Sequence, residues 1–250
     1  MKTQLLTILL ASSLVMTACS NDKEPIDQSE TTIKVTDTKS LIKAAKSVSK
    51  DVASYSSKYK NEIDNDKETS IVDFRMMTDE QNNQKISIKN NAEDATFYVY
   101  DKKTIIKQDD QWFDAPTYVG TQMISQTEPL LYSSQFKLID QLDTATYKEG
   151  DGYTLTETFD DYEKYKALFG NTKENKQVIT ELEKEYPDIS GKITVTFNEA
   201  KQIDHISNQL TLKNDQSTVV NNAVTTFDKI NEIKKLDIPE AVKAAESIEE

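Results

Sequence analysis

The amino-acid sequence predicts an α+β fold: a large, curled antiparallel sheet with a long N-terminal helix and further helices covering its concave face. Three observations carry that expectation. Apolar residues recur every three or four positions between 41 and 59, then alternate with polar ones between 72 and 113, and alternate again between 193 and 227 after a helical interval. Helices and strands that segregate along the chain point to an antiparallel α+β arrangement rather than to repeated βαβ units.

The first eighteen residues stand apart from that domain. Lys2 precedes an apolar run from Leu5 to Met16, interrupted only by Thr7, Ser12 and Ser13. A run of about a dozen residues is too short to span a bilayer as a lasting helix and has the layout of a signal peptide, assigned to residues 1–18. Val15-Met16-Thr17-Ala18-Cys19 resembles the lipobox of bacterial lipoproteins, which places cleavage between Ala18 and Cys19 and makes Cys19 the lipidated residue. Met16 departs from the commoner Leu but keeps a similar apolar volume. Cys19 is the only cysteine of the chain, so no internal disulfide is possible and a lone exported thiol needs a use. Acylation with diacylglycerol supplies one, since two or more chains anchor firmly where one does not. Residues 19–37 are polar, lack aromatic side chains and contain Pro25, and so read as a flexible tether.

The folded domain is expected over 38–250. Leu41, Ala45, Val48, Val52, Tyr55 and Tyr59 predict one helix from Thr38 to Lys60, capped by Asp37 or Thr38, with Asp64-Asn65-Asp66 breaking it. Val72, Phe74 and Met76, then Ile86 and Ile88, then Phe97 and Val99, then 104–106, then Trp112 and Phe113 predict a meander of four or five short strands. With only five glycines in the chain, Asn and Asp take the turn positions that need a left-handed backbone. Val119, Met123, Thr127, Leu130 and Leu131 hold helical spacing that Pro129 interrupts. A hairpin is expected over 144–159 about Glu149-Gly150-Asp151-Gly152, helices over 160–186 with a division near Gly170, and strands through Val195, Ile206, Leu210, Val220 and Val224 to Phe227. A weakly amphipathic tail follows Ile238-Pro239. About eight strands in one twisted sheet tend to curl, and helices across the mouth would enclose apolar volume.

Charge excludes some functions. Without Lys2 the mature chain sets 29 cationic residues, Arg75 the single arginine among them, against 43 acids, a net charge of −14. Nucleic acid and anionic lipid surfaces favour basic partners, so membrane attachment rests on Cys19 and no nucleic acid is expected. Abundant Lys, Asn and Ile fit an AT-rich genome and hence a Gram-positive host, where the anchored protein would sit on the extracellular face of the cell membrane.

The helix from Thr38, the run Phe97-Tyr98-Val99-Tyr100-Asp101 through Gln111-Trp112-Phe113, and the ending Phe227-Asp228-Lys229-Ile230-Asn231-Glu232 with Leu236-Asp237-Ile238-Pro239 resemble the LolA-like superfamily of bacterial lipoproteins and lipoprotein carriers. The resemblance runs over residues 38–242 and is nearest to a Gram-positive surface-lipoprotein branch. It implies a half-open barrel with a helical lid and an apolar cavity that holds acyl chains. No ligand-contact motif carries over by position. The inward parity of the first meander therefore supplies the candidate cavity residues, Val72, Phe74, Met76, Ile86, Ile88, Phe97 and Val99, which plain core packing would explain equally.

Little points to catalysis. His205, the single histidine, has no nucleophile or acid at a telling spacing, and Cys19 is spent on lipid, so no metal or cofactor is expected. Asp64-Asn65-Asp66 and Asp160-Asp161 lack the offsets of a calcium loop. There is no Gly-x-Ser-x-Gly elbow, phosphate loop or dinucleotide fingerprint. Trp112 with Tyr98, Tyr100, Tyr118, Tyr132 and Tyr153 could form a carbohydrate or peptide platform, but tyrosines sit on half-exposed strands for packing reasons alone. The expected function is a non-enzymatic, membrane-anchored module for a lipid or acylated ligand. The alternative is a surface protein with a solid core that contacts a cell-envelope or secreted protein.

Overall fold

A computed structural model describes residues 33–90, 94–108, 110–170 and 172–247. The signal peptide, Ala18, Cys19 and most of the tether lie outside the described residues. Helix α1 spans Thr38–Ser49. Asp37 caps it: its Oδ1 accepts from the Ser40 amide at 2.8 Å, and the Asp37 amide donates to Ser40 Oγ at 3.0 Å, a reciprocal capping box. Val35, ahead of the cap, packs against the core.

The predicted helix does not reach Lys60. Residues Tyr55–Asp64 form strand β1 instead, with Tyr55, Ser57, Tyr59, Asn61 and Ile63 all buried on one side. Tyr55 and Tyr59 are four residues apart and thus satisfy both periods. Ser54, Ser56 and Ser57 compete poorly for helix, and pairing with a strand on each side decides the outcome.

The first meander is as expected: β2 (Thr69–Thr78), β3 (Gln84–Asn90), β4 (Asp94–Tyr100), β5 (Lys103–Gln108) and β6 (Gln111–Asp114). Asp66, Asn82, Asp101, Lys102 and Asp110 supply left-handed turn residues; consecutive positive φ angles at Asp101 and Lys102 make the tight turn between β4 and β5. Next come α2 (Thr117–Ser125), two short 3-10 turns at Glu128–Leu130 and Ser133–Gln135, and α3 (Phe136–Ile139). The hairpin β7 (Thr146–Gly150) and β8 (Gly152–Phe159) precedes α4 (Tyr162–Phe169) and α5 (Lys173–Glu185), which divide at Gly170. The chain closes with β9 (Asp188–Phe197), β10 (Ile203–Lys213), β11 (Thr218–Asp228), α6 (Glu240–Lys243) and the two-residue β12 (Glu246–Ser247).

All twelve strands belong to one sheet in the order β12-β6-β5-β4-β3-β2-β1-β11-β10-β9-β8-β7, more than the eight or so expected. Its two ends do not pair, so it is a half-open barrel. Every pair is antiparallel except β12 with β6, which is parallel. The two meanders join where β1 pairs with β11, and a single core cluster on the inner face runs from Phe97 on β4 to Leu155 on β8. The outer face of β4–β6 has a core of its own, where Ile233, Leu236, Ile238 and Val242 pack on Tyr98 and Ile105. The tail after β11 is therefore a strap over the convex side.

Candidate functional site

Two lids cover the inner face. The first, from the 3-10 turns into α3, is held by Tyr132. Its amide donates to the Tyr55 hydroxyl at 3.2 Å, its own hydroxyl accepts from the Ile203 amide at 2.7 Å, and its ring lies edge-on to Phe227 with 5.0 Å between centroids. Burial pushes the Tyr132 hydroxyl pKa up to about 12. The second lid is the α4–α5 pair. Asp161 and Thr172 cap the two helices by accepting from the amides of Lys164 and Asn175. Glu157, on the inner side of β8 and only 4% exposed, binds Lys164 at 2.6 Å and accepts from Thr144 Oγ1 at 2.7 Å. Burial works to raise the Glu157 pKa, but these hydrogen bonds outweigh it and the net shift is downward. Tyr162 donates to the Tyr186 carbonyl at 2.6 Å, which closes the lid onto the start of β9.

Between the lids lies a hollow of about 150 Å³ over the middle of the sheet. Its floor is set by strand register. Across β1, β11 and β10 run three rows: Tyr59, Thr225 and Ile206; Asn61, Ala223 and Asn208; Ile63, Asn221 and Leu210. Ala223, the smallest of these side chains, sits in the centre and leaves the space. Leu138 of the first lid and Leu168 and Phe169 of the second make apolar walls. At the rim Lys137 pairs with Glu128, whose pKa burial nevertheless raises. The floor is unusual for an apolar core. Asn221 Nδ2 donates to Asn61 Oδ1 at 2.6 Å, whereas Asn208 Oδ1 is buried without a hydrogen-bond partner among the described residues. Tyr59, beside them, has its hydroxyl pKa pushed up to about 12 by burial.

The residues expected to line a cavity are brought together, but elsewhere on the same face. Phe74, Met76, Ile86 and Phe97 are buried in the main core, with Val72, Ile88 and Val99 partly buried against it. None of the seven borders the hollow, whose floor is formed by β1, β11 and β10 next to them. Asn208 is hard to single out in the sequence because its neighbours of the same parity, Ile206, Leu210 and Leu212, are apolar and mark the row as core. A polar residue interrupting an inward apolar row was the available signal, repeated at Asn61 and Asn221. Val220 and Val224 lie on β11 as expected, yet on the outer parity; the inner one is Val219, Asn221, Ala223, Thr225 and Phe227.

The other singled-out groups separate. His205 sits on β10 at the outer parity opposite Thr226. Tyr98, Tyr100 and Trp112 pack under the strap, Tyr132 pins the first lid, and Tyr153 stacks on Tyr147, so they form no common platform; the Tyr118 side chain lies outside what the structure describes. Among the described residues no group of three or more His, Cys, Asp or Glu side chains could hold a metal, and no helix is long and apolar enough to cross a membrane. A second, larger cleft of about 470 Å³ lies between the β7–β8 and β9–β10 turns and is lined by solvated groups such as Lys148, Glu149, Asp151 and Asp204.

The unclosed antiparallel sheet, its covering helices and turns and its long strap make up a half-open barrel. No protein-family model matches the sequence, and a search of curated proteins finds no match. Solved structures similar to the chain include LprF from Mycobacterium bovis, at 12% identity and a TM-score of 0.37, with 81% of this chain and 95% of that one covered. A LolA superfamily protein from Nitrosomonas europaea is similar at 8% identity and a TM-score of 0.27, over 83% of this chain and 97% of that one.

Proposed function

We propose that this protein is a lipoprotein of the cell envelope, anchored through Cys19, that holds the apolar part of a lipid or acylated ligand between its two lids and the sheet. The observation that supports this is the hollow itself. Apolar walls and a polar floor with one unpaired buried acceptor, Asn208 Oδ1, coincide there among the described residues. Buried polar groups left without partners are costly, and cores seldom keep them without a use. The role is binding rather than catalysis, because among the described residues no nucleophile, base or metal set converges there. A tether of roughly 15 residues between Cys19 and Val35, at most about 50 Å long at about 3.3 Å each, keeps the domain close to the membrane that would supply the ligand.

The size of the hollow favours a second reading. At about 150 Å³ it is large enough for a benzene-sized group and falls below the roughly 300–1,000 Å³ of a pocket that encloses a drug-sized ligand. An acyl chain enters only if the lids separate. If they do not, the protein is a solid surface module whose acidic exterior contacts a protein partner. Native mass spectrometry of a Cys19→Ser chain purified from its own host separates the two. Bound lipid of defined mass supports the carrier, whereas bare protein together with a crosslinked protein partner on intact cells supports the solid module.

A further inference from the structure

Resting on the reading of the hollow as an acyl site, we propose that its floor reads the uncharged carbonyl of an acyl ester or acyl amide, with Asn208 Nδ2 as the principal donor and the Tyr59 hydroxyl as the second. Asn208 is partly exposed on the inner face while its Oδ1 is fully buried, so the polar atom it presents to the hollow is Nδ2. That donor has no acceptor among the described residues, whereas Asn221 Nδ2 is spent on Asn61 Oδ1 at 2.6 Å. The Tyr59 hydroxyl borders the same space and likewise has no partner among the described residues. Strand register relates the two donors. Ala223 is the direct cross-strand neighbour of Asn208, and it lies diagonal to Tyr59, whose own partner is Thr225. Direct and diagonal neighbours are both within reach of long side chains. A carbonyl oxygen over Ala223 has two lone pairs and can accept from both donors.

Charge separates a neutral carbonyl from a carboxylate. Among the described residues the one cationic side chain that lines the hollow, Lys137, is already paired with Glu128 at the rim. A carboxylate on the floor would gain the same two donors but would meet the acid of that pair with no free cation, and burying an uncompensated charge is far costlier than burying a neutral acceptor. An ether keeps the chain and loses the carbonyl, so it would leave Asn208 Nδ2 poorly satisfied. At about 150 Å³ the hollow has room for the carbonyl and a few carbons, and the remaining chain would leave between the lids past Leu138 and Phe169. Such a carbonyl belongs to a glycerol ester or to an N-acylated amine.

The test uses the complete chain with Cys19→Ser and calorimetric titration with methyl octanoate, N-methyloctanamide, octyl methyl ether, octanol and octanoate below their solubility limits. The ester or the amide is expected to bind about fivefold to tenfold tighter than the ether, octanol and octanoate, the factor that one hydrogen bond supplies. Whichever of the two binds tighter names the source, a glycerol ester or an N-acyl group. Asn208→Leu and Tyr59→Phe, which keep the side-chain volumes, should each reduce the preference, and together should abolish it while the ether still binds. Equal affinity for all five compounds, tightest binding of octanol or octanoate, or a preference that survives the double substitution overturns the carbonyl assignment while leaving the acyl site standing. If none of the five binds, and Ala223→Leu does no more than raise the melting temperature by filling the space, the hollow is a packing gap and both readings fall.

Discussion

Asp79 shows how one polar side chain can fasten two distant parts of the chain. It is 0% exposed at the end of β2 and accepts from the amides of Gln81 and Asn83 at 2.9 Å, from Asn83 Nδ2 at 3.0 Å, and from the amide of Leu236 on the strap at 3.0 Å. Burial alone would raise its pKa, but the hydrogen bonds together outweigh burial and hold it below the ordinary value of 3.8. A carboxylate whose pKa is lower folded than unfolded stabilises the fold fully above the unfolded value, and the contribution disappears as pH falls through the folded one. Asp79→Ala strands three backbone donors, that of Leu236 buried and those of Gln81 and Asn83 partly so, and should cost about 3 kcal/mol at neutral pH, read by urea denaturation. Asp79→Asn should lose less at pH 7, and its stability should fall less steeply than that of the wild type below pH 3.8. Parallel pH profiles for the two proteins would show that the strap is held by packing alone.

At the scale of elements, the strap is the part that sequence reading understated. The meanders, the hairpin and the division near Gly170 were legible because period-two alternation and Asn or Asp turns report local geometry directly. β1 was not, since Tyr55 and Tyr59 fit a helical stripe as well as a strand and only pairing with β2 and β11 distinguishes them. The strap is not legible as an element because its apolar residues, Ile233, Leu236, Ile238 and Val242, follow neither period, and only a weakly amphipathic tail after Ile238-Pro239 is expected. They are instead matched to the outward side chains of β4–β6. Asn231 fixes the start of the strap in a left-handed conformation: it accepts from the Ala53 amide at 2.8 Å and donates through Nδ2 to the Asp51 carbonyl at 2.8 Å. The hollow escaped for a related reason, as its floor is assembled from residues more than 140 positions apart, Asn61 with Asn208 and Asn221. Ending the chain after Asp228 should uncover Tyr98, Ile105 and Trp112 together and leave the β6 edge open. The expected result is a red-shifted Trp112 emission and self-association on size-exclusion chromatography. A monomer with unshifted emission would mean that the strap is dispensable.

For the whole molecule, the question is whether two meanders joined side by side behave as one folding unit. The seam is the nine-residue pairing of β1 with β11, which brings Ser56 against Asp228 at one end and Asp64 against Val220 at the other. A seam between independent halves would be polar and wet. Here the core cluster continues across it on both sides of the Asn61–Asn221 pair, through Tyr59, Ile63, Leu210, Val219 and Phe227, and both lids pack on that same cluster through Tyr132 and Tyr165. Melting one half would expose the apolar face of the other, so intermediate states gain little entropy for a large loss of burial. Two probes report on the two halves: Trp112 fluorescence follows the N-terminal meander, and near-ultraviolet dichroism is dominated by the tyrosines, many of which, including Tyr147, Tyr153, Tyr162, Tyr165 and Tyr186, lie in the C-terminal half. Their urea midpoints should coincide, and both should shift upward together when a ligand fills the hollow, by the amount that mass action dictates for a site that exists only in the folded state. Because the seam joins residues more than 150 positions apart, refolding should be slow, in the range of milliseconds to seconds or longer that non-local sheets show. Separate midpoints, or a ligand shift confined to the tyrosine signal, would show that the β1–β11 seam divides the protein rather than unites it.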